Sequence, residues 1–291
     1  MKKGKPIRFQ TILLGLLILI MAGVVWGLLK PDNDNLADSI QPGQNTDLHT
    51  FHFSPDKSSI WVGTHAGIFE QNGDKWDSIE SLAYQDVMGL EYDAAAPANL
   101  FISGHGFIQR STDGGARWTN LTSGLPEGLD AHLLHMDRND SNRLFVFVAA
   151  ENSAIYETGD GGESWQFLMN APNNTVAMTS VKGKPDLLLV GTDQKLLAYD
   201  LSTKGGQPQQ LLDEPVYAVT GMPDGDVMAI TPSGAKRSAD RIAWSEVSLN
   251  LNEEIPLGIR FLDNGQGLVV TDKLTVYETR DHGETWSRRA P

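Results

Sequence analysis

Six of the seven histidines in this 291-residue chain lie between positions 49 and 135: His49, His52, His65, His105, His132 and His135. Asp86, Met88 and Asp130 are interleaved with them. Imidazole and carboxylate together suit zinc and other borderline divalent ions, and a thioether favours copper(I), so copper or zinc is the metal chemistry to weigh. No His-x-x-x-His spacing occurs and there is no cysteine, so no single helix or knuckle can hold an ion. A site of this kind has to be assembled from separate segments, and the elements that carry those segments decide whether it forms.

Those elements follow from a repeat. The phrase Asp-x-Gly-x-x-Trp occurs three times, with Asp113 and Trp118, Asp160 and Trp165, and Asp281 and Trp286, each copy with Ser or Thr just upstream. An apolar, strand-like run precedes each one. Gly supplies the positive φ of a tight turn, Asp accepts hydrogen bonds from turn amides, and Trp opens the next strand and buries its ring. These six residues are therefore read as structural. Weaker echoes surround Trp76 and Trp244, and the tryptophans at 76, 118, 165, 244 and 286 step by 42, 47, 79 and 42. The long step is two repeats with one Trp missing. Six units of about 40 residues match the period of a propeller blade. Period-two alternation between Gly, Asp and Asn turns supports strands throughout. The reading is all-β, a six-bladed β-propeller of four-stranded antiparallel blades. Seven blades is the alternative count, because the fourth and fifth units are degenerate.

The first blade is read as strands A to D at 48–53, 59–63, 67–71 and 75–79. The later A strands, nearest the axis, are read as starting near Asp86, Asp130, Thr175, Val216 and Leu257. Antiparallel order puts the B-to-C hairpins and the starts of the A strands on one face, and the Asp-x-Gly-x-x-Trp turns on the other. His65 and His105 then occupy B-to-C hairpins, while His49, Asp86, Met88, Asp130 and His132 open the A strands of three adjacent blades. These seven residues form the expected ligand-binding set, with His65, His105 and His132 as the metal-ligating candidates. A metal site, another ligand site and a hydrogen-bonded polar rim all fit. A second column, His52, Glu91, His135, Thr179, Thr220 and Arg260, recurs inside the A strands and is expected to line the channel. Glu91 between two histidines is the candidate catalytic carboxylate, since shifted pKa values gather at sites, although buried charge pairs also serve scaffolds.

Residues 9–29 carry no charge, and as a helix they would run roughly 30 Å, enough to cross a bilayer. Lys2, Lys3, Lys5 and Arg8 precede them, which places the N-terminus in the cytoplasm. The chain is thus divided into a basic tail (1–8), a single-pass signal anchor (9–29), a polar linker (30–45) and a periplasmic or extracellular propeller (46–291). No small-x-small cleavage pattern follows the apolar run, so the anchor is read as uncleaved. Absence of Cys excludes lipoprotein anchoring and disulfides. The first 30 residues hold five Lys/Arg and no Asp/Glu, which leaves 18 basic against 37 acidic side chains in the rest, a net −19. That balance argues against nucleic acid and anionic lipid surfaces as partners and is compatible with cations.

The three turns resemble the Asp box, or bacterial neuraminidase repeat, of the sialidase-like propeller superfamily. The segments around His49, Thr64-His65-Ala66-Gly67, Asp86-Val87-Met88-Gly89, Ser103-Gly104-His105 and Asp130-Ala131-His132 look like those of exported bacterial proteins described as glycosylhydrolase-like. The resemblance covers about residues 46–288. A sialidase would need three arginines around a carboxylate. Arg110, Arg117, Arg138, Arg143, Arg237, Arg241 and Arg280 map to outer strands or turns, and only Arg260 to an inner strand. An ordinary glycosidase would need a carboxylate pair, here Glu91 with Asp86 or Asp130. The chain is also similar to the photosystem II assembly and stability factors, exported propellers that help build membrane complexes, although their Gly-Trp phrase is missing. The expected function is a membrane-anchored binding or assembly scaffold whose partner is a membrane protein complex or a glycan. A sialidase-like glycoside hydrolase is the alternative.

Overall fold

The computed structural model describes residues 39–40, 48–82, 85–93, 95–203 and 205–290. Within them the repeat becomes six antiparallel sheets, each with four blade strands in sequence order, the first with a short fifth strand added at its outer edge. The A strands are Leu48–Phe53, Val87–Tyr92, Ala131–Met136, Thr175–Val181, Ala218–Gly221 and Pro256–Phe261. Each contacts the next around the ring, and the sixth contacts the first. The blade count is therefore six, not seven.

The B strands show why the sheets stack. Ile60–Thr64, Leu100–Gly104, Leu144–Val148, Val227–Thr231 and Gly267–Thr271 are buried at every position. A strand with an apolar residue on both faces must be covered on both, and here neighbouring blades cover it. Phe145, Phe147 and Ile155 of blade three pack with Met178, Leu188 and Val190 of blade four. Blade six closes on blade one in the same way, with Leu268, Val270 and Val276 against Phe51, Ile60 and Trp76, and Arg289 Nη2 donates to Ser58 O at 2.8 Å. Among the described residues, no strand is exchanged between first and last blades, so the ring is closed by side chains.

Ser39–Ile40, inside the segment read as a linker, pairs with the outer strand of blade one (Ser39 with Asp77, Ile40 with Trp76) and covers part of its free edge. The apolar segment 9–29 and the basic tail lie outside the described residues. Among the described residues no helix is long and apolar enough to cross a membrane.

The three repeated turns share one hydrogen-bond pattern. Asp113, Asp160 and Asp281 each accept from the backbone N–H four residues on, at 2.9, 3.0 and 2.9 Å. Ser111, Thr158 and Thr279 each accept from the N–H of the turn glycine at 2.8, 3.1 and 3.0 Å and donate to the Asp carboxylate. Gly162 has φ +90°, and a Cβ there would meet Leu121 Cδ1 at 2.7 Å, so the position admits no other residue cheaply. Blade five hides a fourth copy. Ser238 donates to Asp240, which accepts from the Ile242 and Ala243 amides at 2.8 Å each. The missing Gly and the longer loop disguise it in the sequence.

Thr158 is buried, and its hydroxyl accepts from both Asp160 N–H and Gly162 N–H. Thr158→Val removes the acceptor without changing the shape. It should cost about 1–3 kcal/mol, the penalty for buried donors left without a partner, read as a lower urea midpoint with an unchanged slope.

Candidate functional site: a histidine–aspartate rim

Each A strand begins with a bulge at the same place. Register slips by one residue between Leu48 and Thr50, Val87 and Gly89, Ala131 and Leu133, Thr175 and Ala177, and Pro256 and Gly258. In blade five, Tyr217 N–H and the paired residue Ala218 both meet Ile230. The extra residue at each bulge is His49, Met88, His132, Val176, Tyr217 or Leu257. A bulge breaks the alternation and re-aims one side chain. It marks His49 and His132 as residues that the backbone presents at the rim rather than in a sheet face.

The hairpins complete the rim. His65 follows Thr64, whose hydroxyl accepts from Ala66 N–H at 3.0 Å and donates to Gly67 O at 3.1 Å, fixing the turn. His105 forms a bridge with Asp130 of the next blade, and Gly106 N–H donates to Leu129 O at 2.7 Å. Six of the seven expected residues therefore converge, from three blades. Asp86 Oδ1 lies 2.9 Å from His65 Nδ1 and 3.5 Å from His49 Nε2. Asp130 Oδ1 lies 2.8 Å from His132 Nε2 and 3.4 Å from His105 Nε2. His65 thus stands with His49 and Asp86, whereas His105 and His132 stand with Asp130. Met88 lines the central cavity.

Burial and close neighbours set the charge of the rim. Burial, with further lowering by neighbouring His65, holds His49 down at about 4, so its imidazole is neutral at pH 7 and has a free lone pair to offer. Burial alone would raise the Asp86 carboxyl, but the hydrogen bond and charge of His65, with the charges of His49 and His105, outweigh it and keep it ionised below its usual value. His49 Nε2, His132 Nε2 and Asp130 Oδ1 are shielded from solvent and make no hydrogen bond among the described residues. His132 Nε2 and Asp130 Oδ1 are close enough to bond but misaligned for it, so both are directed past each other.

Deeper in the channel, the A-strand column forms a different set. Arg260 Nη1 donates to Glu91 Oε1 at 2.6 Å. His135 Nε2 accepts from Ser180 N–H at 2.8 Å, which puts the ring proton on Nδ1, 3.9 Å from Glu91 Oε1. His52 Nδ1 donates to Phe53 O at 3.2 Å and turns Nε2 toward Glu91 Oε2 at 4.0 Å. Burial raises the Glu91 carboxyl even against the pull of Arg260 and Arg138, and burial lowers both histidines well below their usual value. Thr179 and Thr220 are buried in the same ring.

One placement differs from the sequence expectation. Arg138 leaves the A-to-B turn of blade three and reaches into the channel, where Nη2 donates to Thr220 Oγ1 at 3.2 Å and Phe261 O at 3.1 Å, tying blade three to blades five and six. It follows the strand end by two residues, and only a long side chain can fold back that far. No residue-type signal in the sequence separates it from the surface arginines.

Cavity sizes limit what the site can take. The central cavity is ≈ 130 Å³, and Glu91 is the sole carboxylate among the residues that line it. Small-molecule pockets run from roughly 300 Å³ upward, so a sugar ring has no room there. A larger cavity, ≈ 630 Å³, lies on the opposite face, beside Asp240 and Trp286. Arg237 at its wall is already paired with Asp224, Asp226 and Glu284.

No protein-family model matches this sequence. No curated protein matches it either. Solved structures do resemble its fold. YCF48 bound to D1 peptide superposes with a TM-score of 0.55 at 17% identity, covering 89% of this chain and 86% of that one. A GH74 enzyme from Niastella koreensis gives 0.58 at 15% identity, covering 86% of this chain but only 46% of the enzyme, so the chain spans less than half of that relative's length. A virginiamycin B lyase from Staphylococcus aureus, with quinupristin, gives 0.55 at 15% identity and 81% coverage of both chains. At these identities the likeness is one of fold: this chain is a six-bladed β-propeller.

Proposed function

We propose that this protein is a membrane-anchored, extracytoplasmic propeller that works as a binding or assembly scaffold, engaging its ligand through the histidine–aspartate rim opposite the Asp-x-Gly-x-x-Trp turns. A copper or zinc ion held there would supply the contact, and the two carboxylates beside four imidazoles favour zinc over copper(I). The observation that carries this reading is the convergence of six side chains able to ligate a metal, from three blades, several with shielded atoms that make no hydrogen bond among the described residues. Segment 9–29 would tether the rim near a membrane protein complex.

Glycoside hydrolysis is the weaker reading. Its only channel carboxylate is engaged by Arg260, and the two-carboxylate arrangement it requires is not assembled in the cavity.

The test is cross-linking of the full chain in its own membranes, comparing wild type with His65→Ala and His105→Ala. Both rim residues are partly exposed, so His105→Ala should shift stability by no more than about 0.5 kcal/mol and His65→Ala, which also removes the hydrogen bond to Asp86, by about 1 kcal/mol, while each abolishes partner capture. A large stability loss in both, with capture retained per folded molecule, would make the rim a structural ornament. Turnover of a glycoside that Glu91→Gln removes would replace the scaffold reading with an enzymatic one.

A further inference from the structure

The rim is two groups of three rather than one group of six, and one carboxylate faces both. The ligating atoms of His49, His65 and Asp86 all lie within 4.8 Å of one another, and so do those of His105, Asp130 and His132. Asp86 Oδ1 belongs to the first group, while its Oδ2 sits 3.8 Å from His105 Nε2 of the second. Resting on the reading of the rim as a ligand site, we propose that it binds a pair of divalent metal ions, zinc by preference, bridged by the Asp86 carboxylate.

Four features of the structure support this. The first is spacing. Ligands about 2.0–2.1 Å from a tetrahedral ion stand about 3.4 Å apart, and the carboxylate-to-imidazole separations here run from 2.8 to 3.5 Å within the two groups and 3.8 Å across the bridge. The second is direction. His65 hydrogen-bonds Asp86, but His132 Nε2 and Asp130 Oδ1 approach to 2.8 Å and make no hydrogen bond among the described residues, which leaves that pair for a third atom. The third is backbone. Bulges present His49 and His132, one per group, at equivalent positions of blades one and three. The fourth is charge. Two carboxylates offset half of the four positive charges on two ions, and a body with a net −19 outside its first 30 residues attracts cations at long range.

The donor set also predicts an asymmetry. The first ion receives His49, His65 and Asp86 Oδ1. The second receives His105, Asp130, His132 and, through the bridge, Asp86 Oδ2. Three protein donors leave a tetrahedral ion one open position, so the first ion is the one able to take a further ligand. Their rings are held differently as well. His49 and His65 meet edge to face at 4.2 Å, whereas His105 and His132 stack at 5.5 Å.

The experiment is metal titration of the full chain in detergent, purified without a metal-affinity tag and stripped with chelator, using Zn²⁺ by calorimetry and Co²⁺ by absorption and electron paramagnetic resonance. Two ions per chain are expected. His49→Ala and His132→Ala should each retain one. Asp86→Asn should weaken both sites at least tenfold, the lower end of what altered ligand support costs a metal site. Co²⁺ in the doubly loaded protein should give less resonance signal per ion than in either single-site variant, because the shared carboxylate couples the two. One ion in the wild type that either histidine variant abolishes, no uptake at all, or an Asp86→Asn protein that binds two ions unchanged would each overturn the proposal. Chelator-stripped variants that melt like the stripped wild type exclude misfolding as the cause. No zinc uptake in a protein that still captures its partner would sink the two-ion site yet leave the scaffold reading standing.

Discussion

Arg260→Met should destabilise the propeller by about 3–5 kcal/mol at pH 8, and by progressively less as the pH falls. Glu91 is 7% exposed and receives its one direct charged hydrogen bond from Arg260 at 2.6 Å. Removing one partner of a buried pair leaves the other charge uncompensated, which is costlier than the pair's net contribution. Arg138 lies close enough to pull on Glu91 too, so the lower end of the range is the better expectation. The sign of the pH effect follows from burial. It raises the folded Glu91 pKa above its unfolded value, so the folded chain binds more protons between the two values, and protonation relieves the strain as pH falls through that window. Loss of Arg260, whose charge and hydrogen bond both lower the Glu91 pKa, widens the window. Urea unfolding at pH 8, 7, 6 and 5 reads it directly. The double variant Glu91→Gln/Arg260→Met should recover most of the loss. A deficit that is flat with pH, or below about 1 kcal/mol, would mean that water reaches Glu91 and that the channel pair is not a buried one.

Phe145→Ala should cost about 3–5 kcal/mol, the range for truncating a buried aromatic side chain. Phe145 has no exposed surface and sits between blades three and four with Met178, Leu188 and Val190. Its ring also lies under the Arg143 guanidinium, 4.7 Å from the centroid. Arg143 in turn donates to Pro185 O of blade four at 2.7 Å and pairs with Glu157 at 2.9 Å, so truncation loosens a polar tie between the blades as well as the apolar one. The variant should still load the rim per folded molecule, since the buried members of this cluster are all apolar residues outside the rim. Calorimetric melting alongside metal titration separates the two: loss of loading in proportion to unfolded protein is expected, and loss in protein still folded would show that blade packing sets rim geometry.

Much of this molecule was legible residue by residue. The first blade was read as strands at 48–53, 59–63, 67–71 and 75–79, and the observed strands differ by no more than a residue or so at each end. That accuracy comes from the turns, because Gly, Asp and Asn stop a strand for reasons local to the backbone. Blade five, whose turn lost its glycine, was the least legible, and its Ser238–Asp240 copy of the turn emerged only from hydrogen bonds.

The chain by itself determined the blade repeat, the fold class and the face on which the histidines gather, because strand alternation and turn chemistry act over a few residues. It also determined the channel column of His52, Glu91, His135 and Arg260, since a fixed register maps equivalent positions onto one ring. Only the tertiary structure decided how the rim divides. Whether His105 faces Asp130 or Asp86, which oxygen of Asp86 meets which imidazole, and how far Arg138 folds back depend on distances between blades. Those distances come from packing of residues such as Phe145 and Trp76 far from the rim, and from one-residue bulges that carry no sequence signature. Local chemistry placed the imidazoles and carboxylates on one face, and long-range packing arranged them.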